Sequence, residues 1–349
     1  MTPKTPLSPP DAPSAAGPKD PDRRRFLVRL GAASALAVAA GGLGLALRDP
    51  IGPKAGPGGR VLAGLGDFSV APPAPGRSRL ATVHGTDRRA MFNQGINALG
   101  GMEAFIGRGD VVLLKVNAVF ASPALLGATT NPDLLAAVAE ACRHAGAARV
   151  LVTDNPINNP DSCFEVSGLA GAARQSGAAL ILPRQSLFAP VSLPGAAFLT
   201  DWPVLAGAFA GVTKCIVLSQ VKDHQRAGAS MTLKNLYGLL GGRRNIFHQD
   251  INGVIAELGR LLRPTLCVLD GVTAMMTNGP TGGSLSDLKA TNTMILSTDP
   301  VAADAQGAGL LGRTPADLPY LALAQAAGVG SIDPAGLFPV SLNVEPAAG

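Results

Sequence analysis

Residues 228–250, GASMTLKNLYGLLGGRRNIFHQD, concentrate basic and polar side chains in a chain of 349 residues of which only 15% are charged. If MTLKNLYGLL forms a helix, Lys234 and Asn235 lie near its start, where backbone N–H groups favour an anion. Gly238 would allow the backbone to approach a ligand closely. The guanidinium groups of Arg243 and Arg244 could hold a carboxylate or phosphate through two parallel hydrogen bonds. The stretch therefore predicts a site for a small anionic ligand.

A second interpretation of this stretch stays open, in which its basic residues belong to a solvated helix end and interact only with the helix dipole. Its last histidine, His248, titrates near neutral pH and could act as an acid, a base or a metal ligand. A phosphate-binding loop is not indicated, because the spacing GxxxxGK[ST] does not occur in the sequence.

Polar residues also follow the apolar segments that we expect to form strands, such as DVVLLKVN (110–117) and ARVLVTDN (148–155). Ligands of parallel α/β sheets bind beyond the carboxyl ends of the strands, so side chains from distant segments can meet there. Simpler explanations exist for single members, because an aspartate can cap the next helix and a lysine can extend to solvent. The strand-end residues are Lys115, Asn117, Asp154, Asn155, Lys222, Asp223, His224, Asp270 and Asp299.

Two kinds of chemistry could use the histidines and aspartates of this set. His224 and His248 could transfer protons, with Asp154 or Asp270 as partner. The same four side chains could instead hold a divalent metal ion, although no two of them have a short ligand spacing. Hydrolysis by a serine, histidine and aspartate is not indicated, because the sequence has no GxSxG motif.

The elements that would position these residues alternate between strand and helix from about residue 79. The clearest helix is NPDLLAAVAEACRHAG (131–146), with Asn131 as its cap, Pro132 in its first turn and Gly146 at its end. It lies between two apolar strands, as in a right-handed βαβ unit. The sequence predicts a single large α/β domain over residues 79–340, with a mostly parallel sheet and helices on both faces.

The N-terminal residues 1–47 resemble a twin-arginine export signal. Arg23 and Arg24 precede Phe26 and Leu27, and a mildly apolar run extends from residue 30 to residue 47. We expect the translocation machinery as a partner, a location in the periplasm or otherwise outside the cytoplasmic membrane, and membrane contact only through this segment. An uncleaved N-terminal anchor is the alternative. The Gly/Pro-rich residues 48–78 are predicted to be a linker.

Charge and cysteine content exclude two classes of protein. Seven of the 29 Lys and Arg residues and four of the 24 Asp and Glu residues lie in residues 1–49, so the remainder has a net charge of only +2. No nucleic-acid partner is expected from so weak a field. The cysteines have no CxxC spacing, so an iron–sulfur cluster is not expected, and no disulfide pairing can be read from their positions. They are Cys142, Cys163, Cys215 and Cys267.

Several segments, in order, resemble the domain of unknown function 362 family. The similar segments are VVLLKVNAVFASPALLGATTNPDLLAAVAEACRHAGAARVLVTDNP, VKDHQRAGASMTLKNLYGLLGGRRNIFH, PTLCVLDGVTAMMTNGPTGG and STDPVAADAQGAGLLG. The resemblance covers roughly residues 79–312 and implies the same strand-end and helix residues as site candidates. It adds Gly279, Pro280 and Asp304. Many relatives carry an appended ferredoxin-type module, which this sequence lacks, and the family's activity is not generally established.

These observations predict an exported protein whose cleft binds a small anionic ligand. Lys115, Lys234 and Arg243 would hold the anion, and Asn117 and Asn235 would orient it. The protein could be an enzyme assisted by a metal or another cofactor. The second hypothesis is a non-catalytic periplasmic binding or cofactor-maturation protein, and the third is a structural partner.

Overall fold

The computed structural model describes residues 21–46, 61–70 and 76–344. The chain forms two compact units, one within residues 1–50 and the other within residues 51–349. The described part of the first unit is helix α1 (Pro21–Ala46), which covers most of the predicted export signal. Among the described helices, none combines the length and the apolar character that a membrane crossing requires.

The second unit is a single α/β domain. Its strands are β1 (Gly66–Asp67), β2 (Leu80–His84), β3 (Val111–Lys115), β4 (Arg149–Thr153), β5 (Ala179–Ile181), β6 (Ala189–Val191), β7 (Trp202–Val204), β8 (Lys214–His224), β9 (Gly228–Ser230), β10 (Leu262–Arg263), β11 (Leu266–Met275), β12 (Leu288–Ser297) and β13 (Val340–Asn343). Its helices are α2 (Arg88–Ala98), α3 (Pro132–His144), α4 (Pro160–Val166), α5 (Leu169–Gln175), α6 (Thr232–Asn235), α7 (Ile251–Leu261), α8 (Pro300–Leu310) and α9 (Pro319–Ala326).

Nine of the strands form the central sheet. The order is β13-β2-β12-β11-β8-β3-β4-β5, and the short β9 pairs with β8. The neighbours β11, β8, β3, β4 and β5 are mutually parallel. Strand β12 runs antiparallel to both β11 and β2. The predicted mostly parallel α/β sheet is confirmed, and the one reversed long strand, β12, affects which polar residues can reach the site.

Apolar cores cover both faces of this sheet, because successive side chains of a strand point to opposite sides. Leu113 of β3 packs with residues of α7, α8 and α9 on one face. Its neighbours Val112 and Leu114 pack with residues of α2, α3 and α5 on the other face. The predicted arrangement of helices on both faces is therefore present, and it explains why the strands read as continuous apolar runs.

The predicted start of α3 is confirmed at the level of single hydrogen bonds. Asn131 adopts an extended conformation and its side chain accepts from the backbone N–H of Asp133, while Pro132 occupies the first helical position. This cap satisfies a donor that the first turn would otherwise leave unpaired.

Part of the predicted linker packs on the domain. Strand β1 pairs with β10 in parallel register, and the Phe68 side chain belongs to the core that contains Leu113. The folded unit therefore includes residues 61–70, which lie before the predicted domain start at residue 79.

All four cysteines are unpaired and buried in the domain. Burial raises the pKa of Cys215 to about 12, because a thiolate is poorly solvated in the apolar core.

The loop after β11 closes tightly on β8 at Gly279. A Cβ atom at this position would collide with the backbone carbonyl of Asp223, so only glycine fits. The next residue, Pro280, lines the cavity described below.

Replacing Gly279 with alanine should lower the free energy of unfolding by about 1–3 kcal/mol, because a backbone carbonyl cannot move aside as a side-chain end can. Gly171 in α5 is a matched control, since a Cβ there meets no atom within 4 Å. Gly171→Ala should be neutral or stabilising by up to about 1 kcal/mol. Urea denaturation measures both variants, and equal effects would contradict the close packing at Gly279.

Candidate functional site

The carboxyl ends of β3, β4 and β8 surround a small cavity with helix α6 on its other side. Its volume is about 80 Å³. Three of the lining side chains are cationic, two are imidazoles and one is a carboxylate. The polar residues around it are Asn117, Asp154, Lys222, His224, Ser230, Lys234, Asn235, Arg244 and His248.

A buried ion pair forms the floor of the site. The Lys115 ammonium lies 2.8 Å from the Asp154 carboxylate, and it also donates to the Asn235 side chain at 3.0 Å. The second oxygen of Asp154 accepts from the backbone N–H of Ala118 at 2.7 Å. These contacts arise because β3 and β4 are parallel neighbours that end at the same edge. Burial still lowers the pKa of Lys115, although Asp154 acts in the opposite direction.

Gly238 fits directly against this pair. A Cβ there would overlap both the Asp154 carboxylate and the Lys115 ammonium. The Gly238 carbonyl accepts from the N–H of Asn155 at 3.0 Å. The predicted helix over MTLKNLYGLL is correspondingly shorter: α6 ends at Asn235, and a 3₁₀ turn covers Leu236–Leu239. As predicted, Gly238 allows the backbone to approach a charged group closely. That group is an ion pair of the protein rather than a ligand.

Lys222 lies near the end of β8. Its ammonium donates to the carbonyl of Ala128 at 2.7 Å and lies 3.5 Å from the amide oxygen of Asn117. Burial lowers the pKa of Lys222 to about 7, and the attraction of Asp154 only partly compensates. No carboxylate among the described residues forms an ion pair with it.

Lys234 is the least satisfied cation of the site. Its ammonium lies 4.0 Å from the centre of the Tyr237 ring, a cation–π contact. Within the described chain, no acceptor lies at hydrogen-bond distance from this nitrogen. Burial lowers the pKa of Lys234 to about 7, and repulsion from Arg244 and Lys222 adds to the effect.

The two histidines stack in the same cavity, with ring centres 5.7 Å apart. The Nδ1 atom of His224 accepts from the backbone N–H of Ala227 at 3.1 Å, so the neutral ring carries its proton on Nε2. Burial and the nearby Lys234 lower the pKa of His224 to about 3. Burial likewise lowers the pKa of His248, so both imidazoles are neutral at pH 7.

Arg244, rather than the predicted Arg243, belongs to the cavity. Its guanidinium donates to the carbonyl of Asn155 at 2.7 Å and to those of Tyr237 and Leu240 at 3.2 and 3.1 Å. Arg243 is exposed and does not line the site. The backbone turns into a 3₁₀ helix after Arg243, which directs the adjacent side chains differently.

Two predicted strand-end aspartates lie outside the cavity. β11 continues five residues beyond Asp270, whose carboxylate instead pairs with Arg88 of α2 at 2.7 Å. Asp299 follows β12, which is antiparallel to β11 and therefore ends at the opposite edge of the sheet. It caps α8 and accepts from the N–H of Ser331.

The domain of unknown function DUF362 matches residues 112–309, more than half of the chain. The chain belongs to the DUF362 family. A protein named thylakoid-associated, from Synechocystis sp., is 27% identical to this DUF362 protein in an alignment of 260 residues that covers 70% of this chain and 77% of that one. No solved structure matches the chain.

Within the matched region, Asp304 has a supporting position beneath the site. This fully buried carboxylate accepts from the backbone N–H groups of Thr232 and Leu233 at 2.7 and 3.1 Å. The start of α6, predicted to favour an anionic ligand, is thus occupied by the Asp304 carboxyl group of the DUF362 protein itself. Asp304 fixes the turn that carries Lys234 and Asn235 without lining the cavity.

Metal ligation has little support in this geometry. Among the residues that the structure describes, no group of three or more His, Cys, Asp and Glu side chains is arranged to hold a metal ion. The two histidines predicted as ligands share their cavity with Lys222 and Lys234, which would repel a cation.

Tyr237 was not among the predicted site residues, although its ring contacts Lys234 and its hydroxyl donates to the carbonyl of Arg244. One indication was available. Tyr237 follows Lys234 by three residues, a spacing that places side chains on the same side of a helical turn.

Asp304→Asn should destabilise the protein more at low pH than at high pH. Burial raises the pKa of Asp304 from 3.8 to about 7, so the folded state binds a proton more tightly than the unfolded state. In the wild type, the contribution of Asp304 to the free energy of unfolding is therefore complete below its pKa in the unfolded chain. This contribution is lost as pH rises towards about 7. The variant does not lose stability in this way. The difference in unfolding free energy between wild type and variant should therefore shrink with rising pH, by about 1.4 kcal/mol for each unit by which the pKa is raised.

Urea denaturation of wild type and variant, at several pH values between 3.8 and about 7, measures the difference in unfolding free energy. The exposed Asp161 supplies a control, because Asp161→Asn should leave the pH dependence of the wild type unchanged. An Asp304→Asn variant with the wild-type pH dependence would contradict the assignment.

Proposed function

We propose that the cavity binds a small dianionic group. Four cations approach it, namely Lys115, Lys222, Lys234 and Arg244, whereas Asp154 is the one carboxylate in its lining. Lys115 is neutralised by Asp154, which leaves three cations without a carboxylate partner among the described residues. The observation that carries the proposal is the Lys234 ammonium, which is buried beside the cavity and has no acceptor within the described chain.

An anion in the cavity would also relieve the electrostatic cost of this arrangement. Burial, with repulsion from neighbouring cations, lowers the pKa values of Lys222 and Lys234 to about 7. A nearby negative charge favours the protonated form of a lysine, so binding an anion and protonating these lysines reinforce each other. A divalent cation would have the opposite effect, which favours an anionic ligand over a metal ion.

The two neutral imidazoles favour proton transfer as a second function of the site. His224 and His248 line the same cavity as the lysines, within reach of a ligand held there. A neutral imidazole can accept a proton, and its own N–H can donate one. Asp154 is engaged by Lys115 and by the N–H of Ala118, so its role is to hold the floor of the site.

Lys234→Met should weaken the binding of inorganic sulfate by about 10-fold or more, because it removes the unpartnered charge but retains an apolar stem of similar length. Isothermal titration calorimetry of the full-length protein measures the affinity. Lys289→Met is the matched control, since Lys289 is exposed and does not line the cavity. Equal affinities for the Lys234 variant and the wild type would contradict the proposal.

Sulfate affinity should also fall as pH rises through about 7 and above, because Lys222 and Lys234 lose their protons over that range. Sulfate is suited to this experiment, since it keeps two negative charges throughout. A pH-independent affinity would show that these lysines do not hold the anion.

We also infer that residues 1–47 direct export by the twin-arginine route to the periplasm or its equivalent. The inference rests on Arg23 and Arg24, on Phe26 and Leu27 behind them, and on the mildly apolar run from residue 30 to residue 47. The name of the Synechocystis relative, thylakoid-associated, places that protein at a membrane system and is compatible with a role outside the cytoplasm.

Changing Arg23 and Arg24 together to lysine should reduce export of the full chain to background, because the signal is read as an arginine pair rather than as positive charge. Fractionation of a host with a functional twin-arginine system, followed by immunoblotting, measures the outcome. The matched control changes Arg25 and Arg29 to lysine and should be exported like the wild type. Normal export of the first double variant would rule out this route.

A further inference from the structure

A second, larger cavity adjoins the cationic one. Its volume is about 450 Å³, against about 80 Å³ for the cationic cavity. The two share four lining residues: Ile157, Tyr237, Arg244 and His248. We call the smaller one the inner cavity and the larger one the outer cavity.

The two volumes suit different parts of a ligand. Pockets for organic molecules typically measure about 300–1,000 Å³, so the inner cavity is too small for a whole organic ligand and the outer one is large enough. The inner cavity, with its uncompensated cations, suits a compact charged group. The outer cavity contains one cation, Arg244, whose donors already bind three backbone carbonyls.

The outer cavity is lined differently. Phe188, Pro156 and Pro203 present apolar surface, and Gln185 and Asn245 supply polar groups at its wall. This mixture of an apolar lining with a few polar groups is usual for the binding of an organic ring system.

The wall of the outer cavity is held rigidly. The Trp202 indole donates to the carbonyl of Gly241 at 3.2 Å, and its ring packs 4.3 Å from that of Phe247. A Cβ atom on Gly241 would lie 2.6 Å from the Phe188 ring, so the glycine allows that ring to pack directly on the backbone. Phe188 is therefore a fixed surface for a ligand.

We propose that the ligand is an organic phosphate monoester, with its phosphoryl group in the inner cavity and its ring-bearing body in the outer cavity. This rests on the proposed binding of a dianion. A phosphate monoester carries about two negative charges on one compact group near neutral pH, which matches the inner cations. The shared residues Tyr237, Arg244 and His248 lie where the two parts of such a molecule are joined.

Three probes of increasing size test this in the full-length protein: inorganic phosphate, methyl phosphate and phenyl phosphate. Phenyl phosphate should bind about 10-fold more tightly than phosphate, equivalent to about 1.4 kcal/mol, because its ring enters the outer cavity. Methyl phosphate should bind like phosphate, since one methyl group cannot fill that space. Trp202 is the single tryptophan, so its fluorescence should respond to phenyl phosphate.

Two variants separate the cavities. Phe188→Ala should abolish most of the gain from the phenyl ring and leave phosphate affinity unchanged, whereas Lys234→Met should weaken both ligands. The control is Leu323→Ala, an exposed apolar residue of α9 that lines neither cavity. The probe series uses only the wild-type protein. It therefore tests whether the outer cavity binds the phenyl ring even if Phe188→Ala does not fold.

The outcomes distinguish the two proposals. If phosphate binds and phenyl phosphate binds no more tightly, the outer cavity is not a subsite and the anion site stands. If neither sulfate nor any of the phosphates binds, both proposals are overturned.

Discussion

The structure depends on keeping several like charges together inside a folded domain. Lys115, Lys222 and Lys234 are all buried, and together with Arg244 they converge on a space in which Asp154 is the one carboxylate. Such burial is unfavourable unless each charge finds a partner. Lys115 forms an ion pair, Lys222 donates to one backbone carbonyl and Arg244 donates to three. The ammonium of Lys234 contacts only the face of an aromatic ring. Natural proteins retain unfavourable arrangements of this kind mainly where function requires them.

The sheet makes this concentration of charge achievable. β8, β3 and β4 are parallel neighbours, so Lys222, Lys115 and Asp154 reach the same edge from segments far apart in the chain. Helix α6 then brings Lys234 and Asn235 from above, anchored from behind by Asp304 of α8. Lys115, Asp154 and Asn235 are thus fixed by strand ends and by buried hydrogen bonds, which preorganises this part of the site for a ligand.

The sequence was a good guide where one local rule decides the outcome. The apolar runs identified β3 and β4, and the Asn131–Pro132 pair identified the start of α3. It was a poor guide where pairing direction or side-chain direction decides. Asp270 and Asp299 look equivalent to Asp154 in sequence, but an extended β11 and the antiparallel β12 place them elsewhere. Likewise, nothing local distinguishes Arg243 from Arg244, because the difference arises in the turn that follows.

The four buried cysteines make it matter whether the chain folds before or after it enters an oxidising compartment. Each of the four cysteines is buried, and none is paired with another. In an oxidising compartment, an unfolded copy would present all four to thiol–disulfide exchange and could be trapped in mismatched cross-links. A copy that has already folded presents no sulfur to oxidants. Completing the fold before meeting such an environment would therefore protect this protein without any dedicated reductant.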